Sequence, residues 1–274
     1  MHDYDVNNEK RTMQNDDAMT QKIFRDMVWN DTFLIIIAFV FILAVIGVSM
    51  ILKKKGAISG HTARKIVHLL AGFSCFIVPF LYIPFLALIL SGLFLVVTRL
   101  SNPKTQIFQT MGEKDESETG YLAGPFCYAL SINVLVLVFS FMPRFFFFPA
   151  ASIMVMMIAD TAASWFGRRY GKHAIIIKYT KTTRTVEGCF AMLGTAFGLS
   201  LFAFAFFGSW FPDNNNTMSL GWVFTLATLV AVVSMVMEVL SPSDWDDFVV
   251  PIAGCFVSFL LTVLLFPASI GIVT

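Results

Sequence analysis

Long apolar runs are the feature that most constrains how this chain can fold. A helix needs about 20 apolar residues to cross roughly 30 Å of hydrocarbon, because each residue rises only about 1.5 Å. Runs near this length recur along the sequence and predict about eight membrane-spanning helices. They lie at 33–52, 66–82, 83–100, 121–141, 145–166, 188–208, 220–240 and 248–270. The second and third are divided only by a turn at Tyr82-Ile83-Pro84, so they could instead form one uneven hairpin.

The composition and the pattern of the apolar residues favour a helical bundle. Hydrophobic residues make up 57% of the chain and charged residues 14%, which is too apolar for one water-facing surface. The runs also lack the two-residue alternation of a membrane barrel. The predicted fold class is therefore all-α, a polytopic integral membrane bundle. Residues 1–30 are polar without apolar periodicity, and are expected to be a disordered non-cytoplasmic tail before a transmembrane domain at 31–274.

The basic residues between the spans indicate the orientation of the chain. With eight spans, the first, third and fifth connections share one side and carry 14 of the 19 Lys and Arg residues. The positive-inside rule makes this side cytoplasmic, so both chain ends would lie outside the cytosol. The loop Gly208–Ser219 has no basic residue and contains Asn215-Asn216-Thr217, a glycosylation acceptor pattern that Asn30-Asp31-Thr32 also matches.

An acid inside an apolar run is the strongest candidate for a functional site. Asp160 lies about two turns before a cluster of basic residues, in IMVMMIADTAASWFGRRYGK. An unpaired carboxylate there would cost several kcal/mol, so it should face protein, metal or water. On a helix, Asp160, Ser164 and Arg168 recur on one face, while Ala163 and Gly167 belong to a small-residue stripe that could pack against another helix. The acid and the arginine could also form a structural network without chemistry.

Three further polar clusters fall on the same predicted face. Arg64 and His68 share one stripe at the start of the second span, where they could be structural or contact an anion. An acidic turn follows Glu238 after the seventh span, and an acidic loop precedes the fourth; each could be merely solvated. Their acids are Asp244, Asp246 and Asp247, and Glu113, Asp115, Glu116 and Glu118. Carboxylates suit Mg²⁺ or Ca²⁺, which commonly join protein acids to substrate phosphates, so the clusters together favour a phosphate-handling site.

Four ordered motifs resemble the CTP-dependent lipid kinase superfamily, which includes dolichol kinase, phytol kinase and the fungal type of diacylglycerol kinase. The resemblance runs from about Arg64 to Pro251. Arg64-Lys65-x-x-His68 with Gly72 is similar to the opening motif, and Asp160-Thr161-Ala162-Ala163-Ser164 with Gly167-Arg168-Arg169-Tyr170-Gly171-Lys172 resembles the central signature. Arg184-Thr185-Val186-Glu187-Gly188 resembles the third motif, and Trp245-Asp246-Asp247 with Pro251 resembles the fourth. Arg184 stands where lysine is usual, and Phe248 stands where asparagine is often found.

The resemblance implies transfer of the γ-phosphoryl group of CTP to the hydroxyl of a membrane lipid alcohol, either diacylglycerol or a polyprenol such as dolichol. Such transfer depends mainly on positioning and charge stabilisation. The expected catalytic residues are Asp160, Arg168, Lys172, Glu187 and Asp246. The residues expected to bind the nucleotide are Arg64, Lys65, His68, Gly167, Arg169, Gly171, Arg184 and Gly188. Mg²⁺ or Ca²⁺ is expected at Asp160, Asp246 and Asp247.

Other functions stay open on the sequence. A phosphatidate cytidylyltransferase also uses CTP at a membrane face, although its usual Lys-Asp and His-Gly-Gly ending is missing here. A transporter could hold buried ionisable residues, and an inactive homologue could serve as a membrane scaffold. The expected partners are the lipid alcohol and the bilayer, with no nucleic acid, and the oligomeric state is not determined. The membrane would be the endoplasmic reticulum in a eukaryote or the inner membrane in a bacterium.

Overall fold

The protein is built almost entirely of helices. The computed structural model describes residues 2–112, 116, 120–180, 182–209, 219–242 and 245–265. Helices make up 83% of the structure, which confirms the all-α prediction. Seven helical segments are long and apolar enough to cross a membrane, as expected of an integral membrane protein. They are Arg25–Lys54, Gly60–Phe80, Ala123–Ser140, Phe147–Tyr170, Val186–Gly208, Leu220–Leu240 and Asp246–Leu265.

The α-helices follow one another with short connections. In chain order they are α1 His2–Lys54, α2 Gly60–Ala71, α3 Ala87–Leu100, α4 Gln106–Met111, α5 Ala123–Ser140, α6 Phe147–Met154, α7 Asp160–Tyr170, α8 Val186–Ser209, α9 Leu220–Leu240 and α10 Asp246–Leu265. The 3-10 segments Gly72–Phe80, Pro84–Leu86 and Pro143–Phe145 extend or join them, and a π segment, Val155–Ala159, links α6 to α7. Helices α6 and α7 thus form one continuous span.

The predicted third span corresponds to a shorter apolar helix, Pro84–Leu100. At about 1.5 Å per residue it would reach about 25 Å. Before it, the backbone N–H groups of Tyr82 and Ile83 donate to the Asp31 carboxylate near the start of the first span, at 3.0 and 2.8 Å. After it, Glu116 binds Arg64, at the start of α2, at 3.1 Å. These contacts lie at opposite ends of the bundle. The segment is nevertheless shorter than a candidate membrane span, so seven helices among the described residues meet that criterion where about eight were predicted.

The first helix is longer than the sequence suggests. Helix α1 begins at His2, whereas a disordered tail was expected over residues 1–30. The part of α1 that could span a membrane begins at Arg25. The boundary between a tail and a transmembrane domain at residue 30 stays a prediction.

Aromatic packing around α6 fixes the centre of the bundle. Every residue of α6 is buried. The Phe148 ring lies 4.5 Å from that of Phe147, 5.8 Å from that of Phe204 and 5.4 Å from that of Phe259. Aromatic pairs at such separations add to the free energy of burial, so α6 is held on several sides. The π segment that follows it therefore leaves a rigid core and leads directly to Asp160.

A two-stranded hairpin between α7 and α8 was not predicted. Strands β1, Ala174–Ile177, and β2, Thr182–Thr185, pair antiparallel, with Ile175 opposite Arg184. Their β-branched residues suit extended strands, although each strand has only four residues. The hairpin places Arg184 above the start of α8, close to the ends of α9 and α10.

Candidate functional site

A buried polar cluster lies where the start of α2 meets the start of α7, the end of α9 and the start of α10. Asp160, the first residue of α7, is 8% exposed. The Lys65 ammonium on α2 donates to its Oδ2 atom. A buried carboxylate needs such a partner, because its transfer from water is otherwise unfavourable by several kcal/mol. The contact brings together two of the four motifs that the sequence identified.

His68 joins the same cluster from the next turn of α2. Its Nε2 atom lies 3.0 Å from the Met156 carbonyl oxygen and 3.8 Å from Asp160 Oδ2. Its Nδ1 atom lies 3.7 Å from Asp247 Oδ1 at the start of α10. Donation from Nε2 to the carbonyl would leave Nδ1 with a lone pair that faces a carboxylate. A cation bound between the Nδ1 lone pair and the Asp247 carboxylate would stabilise this arrangement.

Three residues of the cluster could hold a metal ion. One ligand atom each from His68, Asp160 and Asp247 lies within 4.8 Å of the others, and all three residues are buried. The two carboxylates suit Mg²⁺, whereas an imidazole nitrogen is more typical of transition metals. Asp246 was also predicted as a ligand, but its Oδ2 atom accepts from Arg184 at 2.7 Å. Asp247, and not Asp246, is therefore placed to bind a metal ion together with Asp160.

Arg184 binds two further buried acids. Its Nη1 atom lies 3.1 Å from Glu238 Oε1, and its Nη2 atom lies 2.7 Å from Asp246 Oδ2. Burial alone would lower the pKa of the guanidinium, but these carboxylates raise it above the ordinary value, so the side chain stays charged. The Nε atom is buried without a hydrogen-bond partner among the described residues. A buried donor without a partner is costly, so the two buried carboxylates that bind the Nη atoms must offset this cost.

The net charge of the cluster favours a cation. Four carboxylates, those of Asp160, Asp246, Asp247 and Glu238, face two cationic side chains, Lys65 and Arg184. Fully ionised, the group carries two more negative than positive charges. Buried charges need neutralising partners, so a divalent cation fits both the donor atoms and this charge.

A cleft opens beside Arg184, between the hairpin and the helices. We call it the hairpin cleft; it has a volume of about 220 Å³. Its polar and small lining residues include Ser164, Gly167, Arg168, Thr183, Arg184 and Glu238. The cleft thus combines two arginines with hydroxyl groups, which are the donors that bind phosphate oxygens. Arg184 connects the cleft to the buried cluster through its bonds to Glu238 and Asp246.

Glycines let α7, β2 and α8 approach closely along the wall of this cleft. A Cβ atom at Gly188 would lie 3.0 Å from the Ala163 carbonyl oxygen and 3.4 Å from Gly167 Cα. A Cβ atom at Gly171 would collide with the Gly167 carbonyl oxygen. The small-residue stripe that the sequence predicted for helix packing is therefore at a close helix contact. Gly167 and Gly188 line the cleft, and their contacts with a nucleotide stay a prediction.

Arg64 lies next to the cluster and is held by an unexpected partner. Glu116 Oε1 accepts from Arg64 Nη1 at 3.1 Å and from the Gly124 backbone N–H at 2.9 Å. Glu116 is only 1% exposed, so the alternative of a merely solvated loop does not hold for this residue. A Cβ atom at Gly124 would overlap the Arg64 guanidinium, which explains the glycine there.

Other predicted residues lie further from Asp160. Glu187 Oε1 lies 2.7 Å from His173 Nδ1, at the outer side of the hairpin. Lys172 and Arg169 are exposed, and the Arg169 guanidinium lies 5.7 Å from the ring centroid of Trp165. Glu113, Asp115, Glu118, Asp244 and the Asn215 pattern lie outside the described residues.

Sequence reasoning missed His61, which contacts Arg168. The Arg168 Nη2 atom lies 3.2 Å from His61 Nδ1. His61 precedes Lys65 by one helical turn, so the periodicity that identified Arg64 and His68 was also a signal for His61. Glu238 was noted only as a helix end, because its partner Arg184 is 54 positions earlier in the sequence, in a hairpin that was not predicted.

Comparisons with protein-family models, with curated proteins and with solved structures found no match for this chain.

Proposed function

We propose that this protein is a kinase that transfers the γ-phosphoryl group of CTP to the hydroxyl of a membrane lipid alcohol. The observation that carries the proposal is the buried contact between Lys65, Asp160, His68 and Asp247 beside an arginine-lined cleft. Phosphoryl transfer needs cationic donors for the phosphates and carboxylates for a metal and the attacking hydroxyl. The four motifs supply both kinds of group, and each motif contributes to the cluster or to the cleft.

In this proposal the triphosphate lies in the hairpin cleft. Arg168 and the guanidinium of Arg184 would supply positive charge for its oxygens, with Thr183 and Ser164 as neutral donors. Positive charge fixed at this point stabilises the charge that develops on the leaving CDP. Glu187 contacts His173 rather than the cluster, so we assign it to positioning the hairpin.

Asp160 is the proposed acceptor of the hydroxyl proton. The lipid oxygen forms a bond to the γ-phosphorus, the bond from that phosphorus to the oxygen of CDP breaks, and the proton of the hydroxyl passes to the Asp160 carboxylate. Lys65 orients this carboxylate before the reaction. A divalent cation, if held by Asp160, Asp247 and His68, would neutralise charge on the phosphates.

The direct test measures where the label of γ-labelled CTP goes. Purified protein in mixed lipid receives CTP, Mg²⁺ and separately diacylglycerol, polyprenol or phytol. The proposal expects labelled lipid phosphate from one of these alcohols. Pyrophosphate release with formation of a CDP-lipid would instead indicate a cytidylyltransferase. No transfer to any alcohol by a correctly inserted protein would count against a kinase.

The matched controls use two buried acids. Asp160→Asn should abolish transfer, whereas Asp31→Asn should preserve it, because Asp31 holds the backbone of Tyr82 and Ile83 at the opposite end of the bundle. Both variants remove one buried carboxylate, so a difference between them separates chemistry from a general effect of charge removal.

A further inference from the structure

A second opening lies on the adjacent face of α7, between α2 and α7. We call it the lateral groove; it has a volume of about 500 Å³ and is lined by residues that include His61, Lys65, Ile66, Leu69, Trp165 and Arg168. Both helices are parts of candidate membrane spans, Gly60–Phe80 and Phe147–Tyr170. The groove is therefore bounded by two spanning segments rather than by loops.

Two contacts fix the relative direction of α2 and α7 along the groove. Lys65 binds Asp160, and His61 lies 3.2 Å from Arg168, so α2 and α7 run antiparallel along the groove. His61 and Arg168 mark the outer end, near the start of α2 and the end of α7. Leu69 marks the end that lies deeper in the span. Polarity thus falls with depth, in the same direction as it falls across one leaflet of a bilayer.

The hairpin cleft and the lateral groove share one wall. Ser164 and Arg168 line both openings. Asp160 lies one turn before Ser164 on the same face of α7, and its partner Lys65 lines the groove. Ligands in the two openings would therefore approach Asp160 along adjacent faces of one helix.

We infer that the lateral groove binds the lipid alcohol, with its hydroxyl beside Lys65 and Asp160 and its first methylene groups against Ile66 and Leu69. This inference rests on the proposed kinase function. The lining residues include no carboxylate, and the hydrocarbon part of a lipid matches Ile66, Leu69 and the face of Trp165.

The charge beside Lys65 favours an uncharged alcohol over a phospholipid. The Lys65 ammonium is already paired with Asp160, so it is not available to pair with the phosphate of a phospholipid headgroup. A neutral hydroxyl can instead donate to that carboxylate. After transfer, the new phosphate would be attracted to Arg168 and Arg169, which line the outer end. The hydroxyl of the substrate would thus lie deeper in the groove than the phosphate of the product.

Filling the groove tests the inference in the active protein. Leu69→Trp places a bulky side chain in the groove, and Leu70→Trp makes the same change at an exposed neighbour outside its lining. We expect Leu69→Trp to raise KM for the lipid alcohol about tenfold, because its binding volume is lost, and to change KM for CTP less than about twofold. Leu70→Trp should leave both constants near the wild-type values. Equal effects of the two variants, with both proteins correctly inserted, would overturn the inference.

Photochemical labelling tests the groove without using turnover. Diacylglycerol and polyprenol that carry a diazirine near the hydroxyl are irradiated with the protein in the absence of CTP, and the modified peptides are mapped by mass spectrometry. Labels on 61–69 and 161–169 support the inference, and labels confined to other helices overturn it. Displacement of the label by excess phosphatidylserine, but not by unlabelled alcohol, also overturns it. Groove labelling without any phosphoryl transfer would refute the kinase proposal while leaving the lipid site in place.

Discussion

Lys65 and Asp160 form an ion pair although 95 positions separate them in the chain. The pair joins the first half of the bundle to the continuous span α6–α7, and it lies between the lateral groove and the buried acids. Its two roles, stability and proposed chemistry, can be separated by substitutions, because the stability of a buried pair depends on both partners whereas the chemistry depends on the carboxylate.

The first prediction concerns this separation. Lys65→Met should destabilise the protein by about 3 kcal/mol, because it leaves the Asp160 carboxylate buried without its ammonium partner. The double variant Lys65→Met with Asp160→Leu should regain most of that stability and still lack phosphoryl transfer. Thermal unfolding in detergent and the labelled-CTP assay measure the two properties. A double variant as unstable as the single one would contradict the pairing.

The second prediction concerns the metal ligands. Asp247→Asn should raise the Mg²⁺ concentration for half-maximal activity by about tenfold or more, because a carboxylate that could bind the cation is lost. Asp246→Asn is the matched control at the adjacent position, where the carboxylate binds Arg184 instead. Activity measured against Mg²⁺ concentration should shift much less for this control. The reverse order would restore Asp246 to the predicted metal site.

The third prediction uses the arginine that replaces the usual lysine of the resembled family. Arg184 reaches Glu238 and Asp246 with separate nitrogen atoms, whereas a lysine has a single ammonium group. Arg184→Lys should therefore lower the free energy of unfolding by about 1–3 kcal/mol, since one buried acid loses its partner. It should also raise KM for CTP, because the guanidinium that lines the cleft is replaced by a smaller ammonium group. A stability and a KM equal to wild type would mean that neither contact matters.

The fourth prediction compares two glycines of α8. Gly188→Ala should lower the melting temperature, since the new Cβ atom would lie 3.0 Å from the Ala163 carbonyl oxygen and force α7 away. Gly194→Ala meets nothing within 4 Å among the described residues, so it should be neutral or stabilising by up to about 1 kcal/mol through helix propensity. Both changes add one methyl group to the same helix. Similar melting temperatures for the two variants would argue against tight packing of α7 on α8.

Much of the helical architecture follows from the apolar runs, because lipid forces each span to satisfy its own backbone hydrogen bonds. The polar stripe of α7 was also predictable, since Asp160, Ser164 and Arg168 follow helical periodicity. The partner of Asp160 was not, because nothing local to α7 specifies which side chain of α2 approaches it. Helical periodicity places Lys65 near the face of α2 that carries Arg64 and His68. Only the packing of α2 against α7 selects Lys65 as the partner of Asp160.

The less predictable parts depend on short or irregular segments. Each strand of the hairpin has four residues, too few for an alternating apolar and polar pattern to be distinguished from a loop. The contact between Arg184 and Glu238 could therefore not be predicted. Glu116 lies among several acids whose local sequence indicates solvent, and it is buried because the Gly124 backbone and Arg64 both donate to it. The adjacent acids Asp246 and Asp247 turn to different partners, a difference set by the first turn of α10 and not by composition.

The π segment Val155–Ala159 has a consequence for how the core and the site are related. A π turn contains one residue more than an α turn, and that extra residue rotates everything after it by about 100° relative to a regular helix. A regular α-helix with the same number of residues would therefore turn Asp160 about 100° away from Lys65 relative to Phe148. Deletion of one residue from the π segment would instead restore a regular helix and keep the acid facing Lys65. One added residue thus sets the direction of the acid without disturbing the aromatic centre.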